Sequence, residues 1–169
     1  TIAAACGGTT TIIDFTTQAR GVTLERAVAE RRAQAEGQVA VDYALHLTVT
    51  DAGRQTLADL SRLAANGYPS LKLYMTYADL MVRDHAMLHI MRTAADCGAL
   101  TLVHAENHDI ISFLTRQLLG EGRTSPAAHA LSRPAWVEAE AVGRAIALAR
   151  AASAPLYIVH VSCAEALSP

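Results

Sequence analysis

The sequence has no surplus of positive charge. Its 169 residues carry 14 Lys and Arg against 16 Asp and Glu, a net charge of −2. Without a cationic excess to displace counterions from phosphates, no nucleic-acid partner is expected. No apolar run approaches the ~18 residues of a membrane-crossing helix, and no charged-then-apolar leader opens the chain, so no membrane association is expected. Cysteines are few: Cys6, Cys97 and Cys163 are odd in number and widely spaced. They read as reduced thiols of a cytoplasmic protein, not as a disulfide frame. No Gly-x-Gly-x-x-Gly follows an apolar strand, which removes support for a dinucleotide-binding fold. Repeats, low-complexity stretches and linkers are absent, so no internal domain boundary is drawn. Lysine is nearly missing. Thirteen of the 14 basic residues are Arg, and Lys72 stands alone inside an apolar run.

What is present suits a globular domain: 51% apolar and 18% charged residues supply a core and exclude a disordered chain. Five apolar, β-branched runs read as strands, at Thr9 to Phe15, Val41 to Val49, Ser70 to Met75, Leu100 to Glu106 and Leu156 to Ser162. Helical patterns separate them. Thr23 caps one that runs to about Glu36. Asp51 or Ala52 opens the next, to about Ala65. Asp84 opens one to about Cys97, Asn107 or His108 one to Leu119, and Pro134 one to about Ala152. The last gap holds an extra loop, Gly120 to Arg133. Strands apolar on both faces and spaced one βα unit apart belong to a parallel sheet covered by helices. A doubly wound sheet and an arc of a (β/α)₈ barrel both fit. The chain has no initiator Met, opens on an apparent last helical turn before Gly7-Gly8, and closes on an apparent helix start. A segment of a longer protein is therefore expected.

In parallel α/β folds, working residues sit at the carboxyl ends of strands. Strand alternation sets Lys72 opposite Leu71, Leu73 and Met75. It faces a sheet interior or barrel lumen, where an ammonium must be paired, deprotonated or modified, or else it snorkels from an edge strand. His104 and His160 stand late in two other strands. Each alone suits a hydrogen-bonded structural role, but together, beside an inward Lys, they could converge on one metal. His46 could line the same interior. His85 and His89, four apart on a helix without an intervening Glu, read as a surface face. His108 and His129 read as solvent-facing, Glu138 and Glu140 as an ion-paired face with Arg144, and Asp14 as either site rim or structure.

These segments together resemble a known family. Ser70-Leu71-Lys72-Leu73-Tyr74-Met75-Thr76-Tyr77, Val103-His104-Ala105-Glu106-Asn107, Leu131-Ser132-Arg133-Pro134 with Glu138-x-Glu140-Ala141, and Tyr157-Ile158-Val159-His160-Val161-Ser162 are similar to the cyclic amidohydrolases of the D-hydantoinase and dihydropyrimidinase type. Gly7 to Phe15 also matches, so the resemblance spans nearly the whole chain. It implies a (β/α)₈ TIM barrel of the metal-dependent amidohydrolase type, with residues 1–169 as a partial catalytic barrel domain covering strands two through six. The remaining barrel strands and a β-sandwich domain would lie outside this chain.

The resemblance implies hydrolysis of a cyclic ureide or imide to an N-carbamoyl amino acid, through a hydroxide bridging two divalent metals, zinc in most members. Lys72 resembles the lysine that is carboxylated and bridges the metals, His104 and His160 the ligands of one of them, and Tyr77 the tyrosine that stabilises the oxyanion. A homotetramer is also implied. The family's His-x-His on its first strand and Asp on its last have no counterpart here. Every ligand expected within this span is kept, which favours the enzyme over the alternative, a non-catalytic dihydropyrimidinase-like assembly protein.

Overall fold

The computed structural model describes residues 1–168. Five strands form one parallel sheet: β1 (Thr11–Thr17), β2 (Asp42–Thr48), β3 (Ser70–Tyr74), β4 (Leu100–His104) and β5 (Leu156–Ile158). Their spatial order is β1-β2-β3-β4-β5, each strand beside its sequence neighbours. A doubly wound sheet reverses its strand order partway, and this sheet does not. The order selects the barrel arc of the two architectures.

Helix α1 (Ile2–Cys6) precedes β1, and helices α2 (Leu24–Ala35), α3 (Arg54–Ala65), α4 (Asp84–Asp96), α5 (His108–Gly120), α6 (Ala128–Leu131) and α7 (Ala135–Ala152) fill the connections. Helices α2, α3, α4 and α7 pack side by side. The core lies between them and the odd-numbered positions of the middle strands. Leu47, Leu71, Leu73 and Val103 are fully buried there against Leu60, Met87, Ile90 and Ala141.

Local chemistry sets the boundaries. Thr23 Oγ1 accepts from Arg26 N at 3.3 Å and starts α2, and Asn107 Oδ1 accepts from Ile110 N at 3.1 Å and starts α5. Helix α3 begins later than the sequence predicts, because Asp51 Oδ1 is spent on Gly53 N and Thr56 Oγ1, both at 2.7 Å. Gly67 and Gly98, at φ 92° and 73°, turn the chain out of α3 and α4 into the next strands. Helix α5 runs through Gly120, and the left-handed turn falls at Gly122. The extra segment expected as a loop holds the short α6. Strand β5 is shorter than expected, because it has a neighbour on one side only and its pairing with β4 ends at Ile158.

Asp59 ties two helices together. It is fully buried on α3 and accepts from Leu24 N (3.1 Å), Gln55 Nε2 (2.6 Å) and Arg62 Nη2 (2.5 Å). Asp59→Ala strands the Leu24 N–H at the start of α2 and is expected to cost about 2–3 kcal/mol, read by urea denaturation. A loss below about 0.5 kcal/mol, the range of an ordinary surface change, would show that the anchor is dispensable.

Candidate active site at the carboxyl ends of the strands

The sheet face opposite the core carries the even positions of β2, β3 and β4. Thr48 is in register with Lys72, Lys72 with Leu102, and Tyr74 with His104. Because β3 pairs on both sides, Lys72 cannot snorkel from an edge, and it is only 3% exposed. Its ammonium lies 4.0 Å from the Tyr74 ring centroid and 5.8 Å from that of Phe15. None of the ion pairs among the described residues includes it. Burial pulls its pKa from 10.5 to about 8. Beside it, Thr48 Oγ1 is buried without a hydrogen-bond partner.

The other three residues singled out from the sequence gather on the same side of the sheet as this lysine. His104 stacks on Tyr74 at 5.6 Å between centroids, Tyr77 lies 5.2 Å from His104, and His160 meets His104 edge-on at 4.5 Å. Tyr77, His104 and His160 line a cavity of about 370 Å³ together with Glu106, Arg133 and Glu138. Lys72 joins them through the Tyr74 ring that it shares with His104.

Two of these residues sit in strained backbone. Tyr77 has φ 67° and His160 φ 40°, and Ser153 is the only other non-glycine with positive φ among the described residues. Such conformations cost about 1–3 kcal/mol each and persist where the surroundings enforce them. Tyr77 is enforced by its own carbonyl, which accepts from Leu80 N at 2.9 Å and Met81 N at 2.8 Å. For His160 the clamp is Glu138 on α7. Its carboxylate accepts from Ser162 N at 2.8 Å and from Ser162 Oγ. His160 therefore leaves a turn after β5, not a strand as the sequence predicts.

The electrostatics favour neutral imidazoles. Burial lowers the His104 pKa, the Glu106 hydrogen bond opposes it, and the charges of His160 and Lys72 push in the same direction as burial. Burial and Lys72 likewise lower His46, whose Nδ1 lies 2.7 Å from Ser70 Oγ. Neutral rings keep a lone pair for a cation. Among the described residues no group of three His, Cys, Asp or Glu is placed to hold a metal ion. The donors present are two imidazoles and a lysine.

Other sequence readings fall elsewhere. Asp14 pairs with Arg31 of α2 on the helix side, so its structural reading holds. His85 and His89 meet each other on the exposed face of α4. His108 is half-buried, 3.4 Å from both Thr76 Oγ1 and Ser112 Oγ, and is not a solvent-facing residue. Glu140 pairs with Arg144 as expected, whereas Glu138 serves the site. The sequence alone assigns no individual role to Glu106 or Arg133, and the ion pair with Arg144 that it suggests for Glu138 is replaced by the bonds to Ser162. The available signal for Glu106 was its place two residues after His104, on the same face of the extended chain.

The chain has counterparts among known proteins. No family model matches the chain. D-hydantoinase of Ralstonia pickettii is 46% identical over 168 residues, 99% of this chain and 37% of that protein. Dihydropyrimidinase of Rattus norvegicus is 43% identical, over 95% of this chain and 31% of its own length. The crystal structure of dihydropyrimidinase from Brevibacillus agri superposes with a TM-score of 0.94 at 46% identity, covering 98% of this chain and 36% of the other. The chain thus spans about a third of the length of the relatives it matches. Within that span, backbone fold and sequence agree, and the chain is homologous to the D-hydantoinases and dihydropyrimidinases, the barrel-forming amidohydrolases.

Proposed function

We propose that a protein carrying this segment hydrolyses a cyclic amide, a hydantoin or dihydropyrimidine ring, to an N-carbamoyl amino acid at a two-zinc centre. One observation carries the reading: Lys72 is buried on the central strand with no counter-charge, against the Tyr74 ring on which His104 of the cavity wall also stacks. A buried ammonium is costly, and a pKa near 8 leaves roughly a tenth of the amine neutral at pH 7. The neutral amine attacks carbon dioxide, forms the N–C bond and releases one proton. The resulting carbamate anion gives Lys72 two oxygens, and the unpartnered Thr48 hydroxyl beside it gains an acceptor.

The donor set then fits zinc: two imidazole nitrogens from His104 and His160, and carbamate oxygens from Lys72. Bound zinc would supply Lewis-acid polarisation of the ring carbonyl and a water of lowered pKa. Tyr77 holds its ring against His104, and its hydroxyl donates to the oxygen that gains charge at the attacked carbon. We further propose that the protein assembles as a homo-oligomer, for which Phe113 and Leu119 of α5 and Trp136 of α7 supply exposed apolar surface. No helix among the described residues is long and apolar enough to cross a membrane.

The test is elemental analysis and native mass on one sample of a full-length protein containing this segment. Zinc together with the added mass of one carboxyl group is expected. Neither zinc nor added mass after reconstitution with zinc and bicarbonate would overturn the reading.

A further inference from the structure

Glu106 and Arg133 have no part in the reading above, yet they form a continuous polar chain behind His104. His104 Nε2 lies 2.7 Å from Glu106 Oε2. Glu106 Oε1 in turn lies 3.4 Å from Arg133 Nε. All three side chains are mostly buried, at 12%, 16% and 23% exposure. Arg133 comes from the far end of the extra segment between α5 and α7. It is itself tethered there, its Nη1 standing 3.3 Å from both His129 Nδ1 and Ser132 Oγ.

A carboxylate only accepts hydrogen bonds, so the proton between His104 and Glu106 must sit on Nε2. The Nδ1 lone pair is then left facing away from Glu106, and Nδ1 makes no hydrogen bond among the described residues. We infer that Glu106, braced by Arg133, is a positioning residue that fixes His104 as its Nε2–H tautomer and presents Nδ1 to the metal. This rests on the metal-centre reading proposed above. It also gives the extra segment a purpose. A direct β4-to-helix-to-β5 crossover would not pass this point, whereas the excursion through α6 delivers a guanidinium to the back of the site. Outer partners of this kind orient a ligating imidazole and raise its basicity.

The test uses a full-length protein containing this segment, crystallised with zinc, and its variants titrated against a zinc chelator. In the parent, zinc is expected on His104 Nδ1 with Glu106 on Nε2. Glu106→Ala is expected to weaken zinc binding by about 10- to 100-fold. Glu106→Gln keeps an amide oxygen for Nε2–H and is expected to recover most of that loss, although it breaks the ion pair with Arg133. A merely structural ion pair would make both variants equally defective. Should Glu106→Ala fail to fold, Arg133→Gln, which leaves His104 and Glu106 intact, is expected to weaken zinc binding by a smaller factor. Zinc on His104 Nε2, or an Ala variant within twofold of the parent, would overturn the inference. A parent that binds no zinc would overturn the metal-centre reading instead. The Glu106–Nε2 bond seen in the same crystals would then still decide what holds the ring.

Discussion

Lys72→Met is expected to stabilise the metal-free protein at pH 7 while abolishing metal retention and turnover in a full-length protein containing this segment. The two effects share one cause. The lysine is 3% exposed and has no carboxylate partner, and burial alone pulls its pKa to about 8. The gap from 10.5 corresponds to about 3 kcal/mol of penalty for the charged form in the fold.

The folded pKa is lowered, so the unfolded chain holds its proton more tightly. The penalty is therefore complete below pH 8. It shrinks as pH rises from 8 to 10.5 and vanishes above. Tyr74, at 4.0 Å from the ammonium, returns about 1–2 kcal/mol through its ring face, so the net gain on removing the charge is about 1–2 kcal/mol. Methionine is unbranched and fills the same space against Phe15 and Tyr74. Thermal melts of parent and variant in chelator, at pH 7 and again near pH 10, check the sign. A variant that melts no higher than the parent at pH 7 would sink the burial-cost account. Zinc retained by the variant would remove Lys72 from the metal centre. A residue that weakens the empty fold and is kept nonetheless is the signature of a group held for chemistry.

Tyr77→Phe is expected to lower kcat by about 10²–10³, the loss of one donor to a developing oxyanion. The substitution is clean for a structural reason. Phenylalanine keeps the ring contacts with His104 at 5.2 Å and Tyr74 at 6.0 Å, and meets the same left-handed backbone as tyrosine does. The clamp of Leu80 N and Met81 N on the residue-77 carbonyl is also untouched. Only the hydroxyl goes, at the wall of a cavity where the ring is 43% exposed. Turnover of a hydantoin or dihydropyrimidine by the two proteins reads the effect. An unchanged kcat would take Tyr77 out of the reaction and leave it as a wall of the pocket.

The sequence by itself determined the order of the five strands and of the longer helices between them, because periodicity 2 and 3.6, cap residues and glycine stops are local signals that adjacent residues carry. It also placed Lys72 on the face opposite Leu71 and Leu73, since alternation within a strand needs no partner. It held the segments around Lys72, Tyr77, His104 and His160 whose joint occurrence points to the cyclic amidohydrolases. Only the tertiary structure decided the rest. The choice between a doubly wound sheet and a barrel arc hangs on spatial strand order, which no local pattern encodes. So does the fate of Lys72, which could have reached water from an edge strand but sits on the central one. The local pattern places His160 late in a strand that runs to Ser162. Its left-handed turn is imposed by Glu138, 24 residues upstream of Ser162 and on another element. The chain from His104 through Glu106 to Arg133 likewise joins residues that meet only when the segment leading into α7 folds back to the end of β4. Local patterns name which side chains share a face, and packing between distant segments decides which of them touch and what each contact costs.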